Sequence, residues 1–390
     1  MKILLVRLYP SEPKLNFYNI QGIGLAKALV DSGNKCDIVF YTNKQDRTQE
    51  IEYKGKKITI YWLKGKNILK NAFFGNKIIE LAKNYDIVQS NEYDQIYNLK
   101  LNKRIGDKLI IYHGPYYSKF NKGYNIKCKI FDIFFANKNY KKVKLITKSE
   151  LAKKFLQEKG YTDVTAIGVG LDADKITDNA VPNTKLAILN KIKPENFNLL
   201  YIGKIEPRRN TLFLIDVLEA LIKKNSNVRL VLVGKGKKEY IEKVFQYAKQ
   251  KQLNDYIIYE ESIKQEDISL LYKKCDMFLL PTSYDIFGMV LLEAMYFGLP
   301  VLTTLNGGSS TIIKDGQNGF VCNIDDKQKW AQVIEELIQK EDLRHRIALN
   351  AKNTITDEFL WSKLVENFIN VYKQKTNEKH EWGKKNEKKM

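Results

Sequence analysis

Histidine is scarce in this sequence: His113, His345 and His380 are the only three in 390 residues, and their spacing suits no metal. The four cysteines (Cys36, Cys128, Cys275 and Cys322) are scattered, with no C-x-x-C pair. That argues against a disulfide framework and a structural zinc site, and it fits a reducing cytoplasm. No apolar run approaches the roughly 20 residues that span a bilayer. The opening MKILLVRLYP holds Arg7 inside its apolar stretch and has no A-x-A cleavage site. It reads as a buried first strand rather than a signal peptide. Acids are also in deficit, 45 against 65 Lys and Arg, leaving a net charge of +20. Nucleic acid, an anionic membrane and a phosphorylated substrate all accommodate that charge.

What is present points to an ordinary globular chain. A hydrophobic fraction of 44% excludes disorder as the default, and the length suits two domains. In the first half, apolar runs at Lys2–Leu8, Cys36–Tyr41, Ile58–Leu63, Asp86–Ser90, Lys108–His113, Val143–Lys148 and Val164–Val169 read as strands. Several lack polar alternation, as strands buried on both faces of a parallel sheet do. Gly22–Ser32 and Asn76–Lys83 read as helices between them. A polar stretch with Pro182 and Pro194 interrupts the pattern before it restarts at Phe197. The second half sets strands at Phe197–Gly203, Val228–Gly234, Tyr256–Glu261, Met277–Leu280, Pro300–Thr304 and Gly319–Cys322 between helical patterns. The expected fold is α/β: two doubly wound Rossmann-like domains facing across a cleft, with ligands beyond the carboxyl ends of the strands. The expected boundaries are 1–172, a linker at 173–196, 197–355, a closing helix at 356–375, and a disordered basic tail at 376–390.

Two segments carry candidate chemistry. In the first, a strand ending at Leu280 leads through Asp285 and Gly288 into a helix containing Glu293. With seven residues between them, the two acids lie within about 80° of one direction on a helix. The amides of Phe287, Gly288, Met289 and Val290 would face an anion at the helix start, while the acids would take ligand hydroxyls. A plain N-cap at Asp285 and a surface Glu293 read equally well. In the second segment, Gly203-Lys204 and Arg209 flank a turn after the strand opening this half, and together would neutralise a diphosphate. Read alone, they fit a solvated basic loop as well, and Arg208 competes with Arg209. Gly234-Lys-Gly236-Lys lacks the spacing of a phosphate-binding P-loop and fits a close-approach turn lining the donor site.

These residues resemble, in order and spacing over about 120 positions, the retaining GT-B-fold glycosyltransferases of family 4. The matching elements are Gly203-Lys204 with Arg209, Asp285-Ile-Phe287-Gly288 to Glu293-Ala-Met, Gly298-Leu-Pro-Val301, Gly307-Gly308 and Asp315-Gly-Gln-Asn-Gly319. The resemblance implies a metal-independent, hexosyltransferase-type enzyme with a nucleotide-diphosphate sugar of UDP or GDP type as donor and no cofactor. Lys204 and Arg209 would take the diphosphate, Glu293 the ribose and Asp285 the sugar hydroxyls. The chain departs from the family pattern in having Asp285 where the family has Glu, an inverted order of Lys204 and Arg209, and Thr311 where an acid is common. In the first half, His113-Gly114 matches the family's H-G step near the donor sugar, which makes His113 a second catalytic candidate. Gly22 is a weak candidate for the acceptor or phosphate loop, because the customary glycine pair is missing. Asp172-Ala-Asp174 has the D-x-D form of metal-dependent transferases, but it falls at the linker and reads as structural; no metal is expected.

Residues 115–144 interleave lysines with Tyr116, Tyr117, Phe120, Tyr124, Phe131, Phe134, Phe135 and Tyr140. Such a mixture suits an anionic membrane surface, a single-stranded nucleic acid, or a helix packed on its sheet with a lysine face outward. The family's use of its first domain for the acceptor favours a lipid-linked glycan or glycolipid at the cytoplasmic face of the membrane. Nucleic acid is not expected as a partner. The competing functions are a GT-B-like epimerase or phosphorylase, and a non-catalytic basic module that binds RNA or membrane.

Overall fold

The computed structural model describes residues 1–15, 20–68, 70–176 and 187–387. The chain forms two units, Met1–Asp172 with the segment from Trp361 onward, and Ala173–Leu360.

The first unit is built on an eight-stranded sheet in the order β10-β9-β8-β7-β1-β2-β4-β3. Its strands are β1 Lys2–Val6, β2 Lys35–Thr42, β3 Arg47–Tyr53, β4 Lys56–Lys64, β7 Ile87–Asn91, β8 Leu109–His113, β9 Lys144–Thr147 and β10 Val164–Ala166. Two short strands, β5 Lys66–Ile68 and β6 Asn71–Phe73, form a separate ribbon. Every residue of β8 and β9 is buried, which is the two-sided burial that a parallel interior strand demands. Of the strands that sequence reading missed, β3, β5 and β6, the longest is β3. It carries charge and no apolar run, stays mostly exposed, and pairs antiparallel with β4 at the sheet edge. Lys54 and Gly55 join the pair with positive φ at both positions, as a tight two-residue hairpin requires.

The closing helix, Trp361–Glu387, belongs to this unit. The Trp361 indole lies against Gly24 and Gly170, where an added Cβ would fall 2.4 Å and 2.3 Å from its ring atoms. Further along, the Tyr372 hydroxyl donates to Gln89 Oε1 at 2.7 Å. The expectation of a helix ending at 375 and a disordered tail from 376 is corrected: the backbone remains helical to Glu387.

In the second unit, six parallel strands run in the order β13-β12-β11-β14-β15-β16. They are β11 Phe197–Ile202, β12 Val228–Val233, β13 Ile257–Glu260, β14 Met277–Leu280, β15 Val301–Thr303 and β16 Phe320–Val321. Counted from its first strand this is the 3-2-1-4-5-6 order of a dinucleotide-binding sheet, whose switch point lies between β11 and β14. The expected linker at 173–196 also needs correcting. Residues 177–186, with Pro182, lie outside the described residues, but Ala187–Lys191 is a helix of this unit with Ile188 and Leu189 buried.

Candidate functional site

The loops that leave β11 and β14 meet at the switch point of the second unit. After β11, Pro207–Arg209 forms a single 3-10 turn, and Asn210 takes a left-handed conformation before the helix Thr211–Ile222. The Asn210 amide donates to Pro281 O and Ser283 Oγ, both at 2.7 Å, tying this loop to the one after β14. The two arginines have different partners. Arg208 is held by Glu206, at 2.7 Å, and by the carbonyl of Tyr284. Arg209 forms an ion pair with Asp285 and reaches Thr282 Oγ1 at 3.4 Å, and its Nε is buried without a hydrogen-bond partner.

Asp285 is more than a cap. Besides pairing with Arg209 through Oδ2, it accepts from the amides of Phe287 at 3.3 Å and Gly288 at 3.0 Å through Oδ1. The four amides expected to face an anion are therefore reduced, because two are satisfied by Asp285 itself. Gly288 sits at φ +76°, and the helix starts at Met289, with Val290 behind it, rather than at Phe287. Beneath this turn lie Gly307 and Gly308. A Cβ there would come within 2.0 Å of Ile286 O and 1.8 Å of Phe287 O, and the Gly307 amide donates to Asp285 O at 3.1 Å. The double glycine is thus the floor of the turn. Thr311 returns its hydroxyl to Gly307 O at 3.1 Å. Glu293, expected at a ribose, is only 4% exposed and accepts from the buried Tyr272 hydroxyl at 2.9 Å.

Lys204 is exposed and lines a cavity of about 560 Å³ with Lys235, Gly236, Lys237 and Tyr240. Arg209 is not among its lining residues, so the two cations expected to share a diphosphate occupy different surroundings. The strand ends close on each other here through glycine. A Cβ at Gly234 would lie 1.7 Å from Gly203 O, and one at Gly236 would lie 2.2 Å from Ile205 O. Sequence reading placed this loop at the donor site through Gly234 and Gly236 but gave no role to Lys235 or Lys237.

The first unit carries its own polar group at the carboxyl ends of β7 and β8. His113 is fully buried, boxed edge-on by Tyr93 at 5.1 Å and stacked on Phe155 at 6.1 Å. Its Nδ1 lies 2.7 Å from Glu92 Oε2, while Nε2 is buried without a partner. Glu92 also accepts from the Gly114 amide at 3.1 Å and faces Lys148 at 4.0 Å. Burial, the largest influence, pushes its carboxyl up. The hydrogen bond and charge of His113, the charge of Lys148 and the Gly114 amide outweigh it and hold the group below the usual range. Glu92 and Lys148 line a cavity of about 280 Å³ with Arg7, Gly22, Gln89 and Asn91. Burial is the main influence lowering the Arg7 guanidinium from its ordinary value, against an opposing Coulombic effect of Tyr9. At Gly22 a Cβ would meet nothing within 4 Å, so no packing constraint demands glycine. No sequence signal marked Glu92, because it belongs to no motif and sits at φ +53°, a conformation that side chains rarely take. Asp172 of the D-x-D pairs with Lys27 at 3.6 Å. Among the described residues, no group of three or more His, Cys, Asp or Glu side chains is placed to hold a metal ion.

Comparison with known proteins adds to this geometry. Spore coat protein SA of Bacillus subtilis is 24% identical over 184 residues, 45% of this chain and 48% of that protein. The lipopolysaccharide 1,2-N-acetylglucosaminetransferase of Salmonella typhimurium is 28% identical over 238 residues, 58% of this chain and 60% of that protein. The chain thus spans about half the length of the curated relatives it matches. The crystal structure of Anabaena Alr3699/HepE in complex with UDP covers 96% of the chain and 100% of its own length at TM-score 0.71 and 17% identity. At that identity the likeness speaks to fold alone, and the fold is of the GT-B class, built of α/β units. The family described as glycosyl transferases group 1 matches residues 185–354, which contain Lys204, Arg209, Asp285, Glu293 and the double glycine. Over that span, a little under half of the chain, the sequence is similar to the glycosyl transferases group 1 family.

Proposed function

We propose that the chain is a glycosyltransferase that moves a hexosyl group from a nucleotide-diphosphate sugar to an acceptor hydroxyl, with retention at the anomeric carbon and no metal. The observation that carries this reading is the convergence of cations and acid at the β11–β14 switch point, the place where such sheets take nucleotides. In the proposed reaction the acceptor oxygen bonds to the anomeric carbon as the bond to the nucleotide diphosphate breaks. The departing diphosphate keeps the electron pair and takes up the acceptor's proton. Cations near the leaving group lower that barrier by stabilising charge as it develops. Lys204, with Lys235 and Lys237 beside it, supplies three ammonium groups for the diphosphate. Arg209 fixes Asp285, and Asp285 in turn shapes the Phe287–Gly288 turn against which the donor would lie.

The bound UDP in the Anabaena structure supports a uridine nucleotide as the first donor to try. The relative named for lipopolysaccharide supports a lipid-linked glycan as acceptor. His113 is assigned a positioning role toward Glu92, since it is itself shut off from solvent. Calorimetric titration with UDP and GDP, followed by a screen of sugar nucleotides for transfer or hydrolysis, tests the reading. Binding of one nucleotide with sugar release is the expected result. Absence of binding by either nucleotide overturns it.

A further inference from the structure

Seven of the eleven large hydrophobic residues exposed among the described residues fall between Tyr117 and Phe135. Scattered exposed apolar residues need no explanation, but a contiguous group does. The helix Lys122–Phe134 concentrates them on one side. At about 100° per residue, Ile126, Ile130 and Ile133 point within about 60° of one another, and Phe134 lies about 80° from Ile126. They are 61%, 48%, 64% and 73% exposed. The opposite side of the same helix is fastened to its unit: Cys128 and Phe131 are buried and Tyr124 donates to Asp94 at 3.2 Å, while Lys127 on the flank pairs with Asp94 at 2.7 Å. The helix is therefore held with its apolar stripe outward.

Charge around the stripe has one sign. Lys119, Lys122 and Lys129 are exposed beside it, and the only acid from 115 to 142, Asp132, is engaged inward by Lys159. We propose that this face docks on an anionic bilayer surface, the isoleucines and Phe134 entering the interface while the lysines meet head groups. A second copy of the chain is disfavoured because it would bring like charges together on a chain of net charge +20. Single-stranded nucleic acid needs ring faces to stack on, and the centre of this stripe is aliphatic. Among the described residues, no helix is long and apolar enough to cross a membrane, so the contact is peripheral. The surface would bring the enzyme to a lipid-linked acceptor, and that link rests on the transferase reading; the docking itself does not.

The test is flotation of the full chain with phosphatidylcholine vesicles with and without phosphatidylglycerol, alongside UDP and GDP titration of the same samples. The chain should float with the anionic vesicles. The charge-neutral variant Ile130→Ser/Ile133→Ser/Phe134→Ser should lose at least about tenfold in partitioning. Each of Lys119→Gln, Lys122→Gln and Lys129→Gln should lose about fivefold. Leu349→Ser, at a 58% exposed residue of the other unit, should change nothing. An unchanged circular-dichroism spectrum and unfolding midpoint in the stripe variant show that its first unit is folded, and unchanged UDP binding shows the same of the second. Vesicle binding with neither UDP nor GDP bound would sink the transferase reading and leave the docking surface standing; the reverse would sink the surface alone. Equal flotation of wild type and stripe variant overturns the proposal. So does a stripe-dependent dimer, or stripe-dependent capture of a single-stranded oligonucleotide, in the absence of flotation.

Discussion

Where β11 ends, the chain turns on glycine; where β7 ends, it turns on Glu92. The second unit shapes its strand ends with backbone. Gly234, Gly236, Gly307 and Gly308 let peptide groups approach at distances that no side chain permits, and the charged groups stand above that floor. The first unit shapes its strand end with side chains. A carboxylate in a left-handed conformation holds a histidine, an amide and a lysine around itself. A backbone-built site needs particular residues at fixed spacing and leaves a motif. A side-chain-built site draws Glu92, His113 and Lys148 from separated elements and leaves almost none.

The sharpest way to break this contrast is at the glycines. Gly308→Ala puts a methyl against Phe287 O and should destabilise the second unit by about 3 kcal/mol or more, read as a fall in its thermal unfolding temperature. Gly22→Ala meets nothing and sits inside a helix, so it should stabilise by about 0.5–1 kcal/mol. Equal effects from the two would remove the distinction between the floors.

Next in size is Arg209→Ala. It leaves Asp285 without its cation and should weaken UDP binding by about a hundredfold, an effect in the range found when one partner of a buried charge pair is truncated. Arg209→Lys should recover only part of this, since an ammonium lacks the planar fork. Calorimetry checks both. If the alanine variant bound normally, Lys204 and its neighbours would be the whole phosphate site.

A smaller loss is expected of Tyr272→Phe, which leaves buried Glu293 short of a hydrogen bond and should cost about 1–3 kcal/mol in denaturant unfolding. If Glu293 instead takes a ribose, UDP affinity should fall while stability holds.

The smallest effect concerns Glu92 and acid. Its folded carboxyl lies below the ordinary value of 4.5, so the unfolded chain binds the proton more readily. Its stabilising contribution is complete above the ordinary range and fades as pH falls through the lowered folded value. Glu92→Gln should therefore flatten the acid limb of stability against pH, with the gap from wild type narrowing as pH drops. A parallel pair of curves would show that Glu92 is not held by its partners.

The parallel sheets were legible from uninterrupted apolar strands, and the loops at the β11–β14 switch point from Gly203, Asp285 and Gly307-Gly308. The edge strand Arg47–Tyr53 was not, because an exposed antiparallel edge has no apolar pattern to betray it. Nor was the pairing of Arg209 with Asp285, which joins residues 76 apart. Sequence reading had given those two groups separate ligands. Glu293 carried the right spacing, yet its burial against Tyr272 depends on a neighbouring helix that no local pattern specifies. The closing helix was placed but cut short, since a lysine-rich end reads as solvated chain whether or not its backbone stays helical.

Glu92, Tyr93 and Asp94 are consecutive, and between them they touch both His113 and the helix Lys122–Phe134. Glu92 meets His113, the Tyr93 ring packs on His113 while its hydroxyl reaches Asp132 at 3.3 Å, and Asp94 takes Lys127. Three residues of backbone thus separate the imidazole from the helix that carries the exposed stripe. The scarcity of histidine then becomes an experimental convenience. In a chain with only three imidazoles, of which His345 is 70% exposed at its side chain, the buried ring of His113 gives a magnetic resonance signal with little to obscure it. Isotope labelling of histidine alone would make that ring a gauge of any strain passed along the Glu92–Asp94 segment.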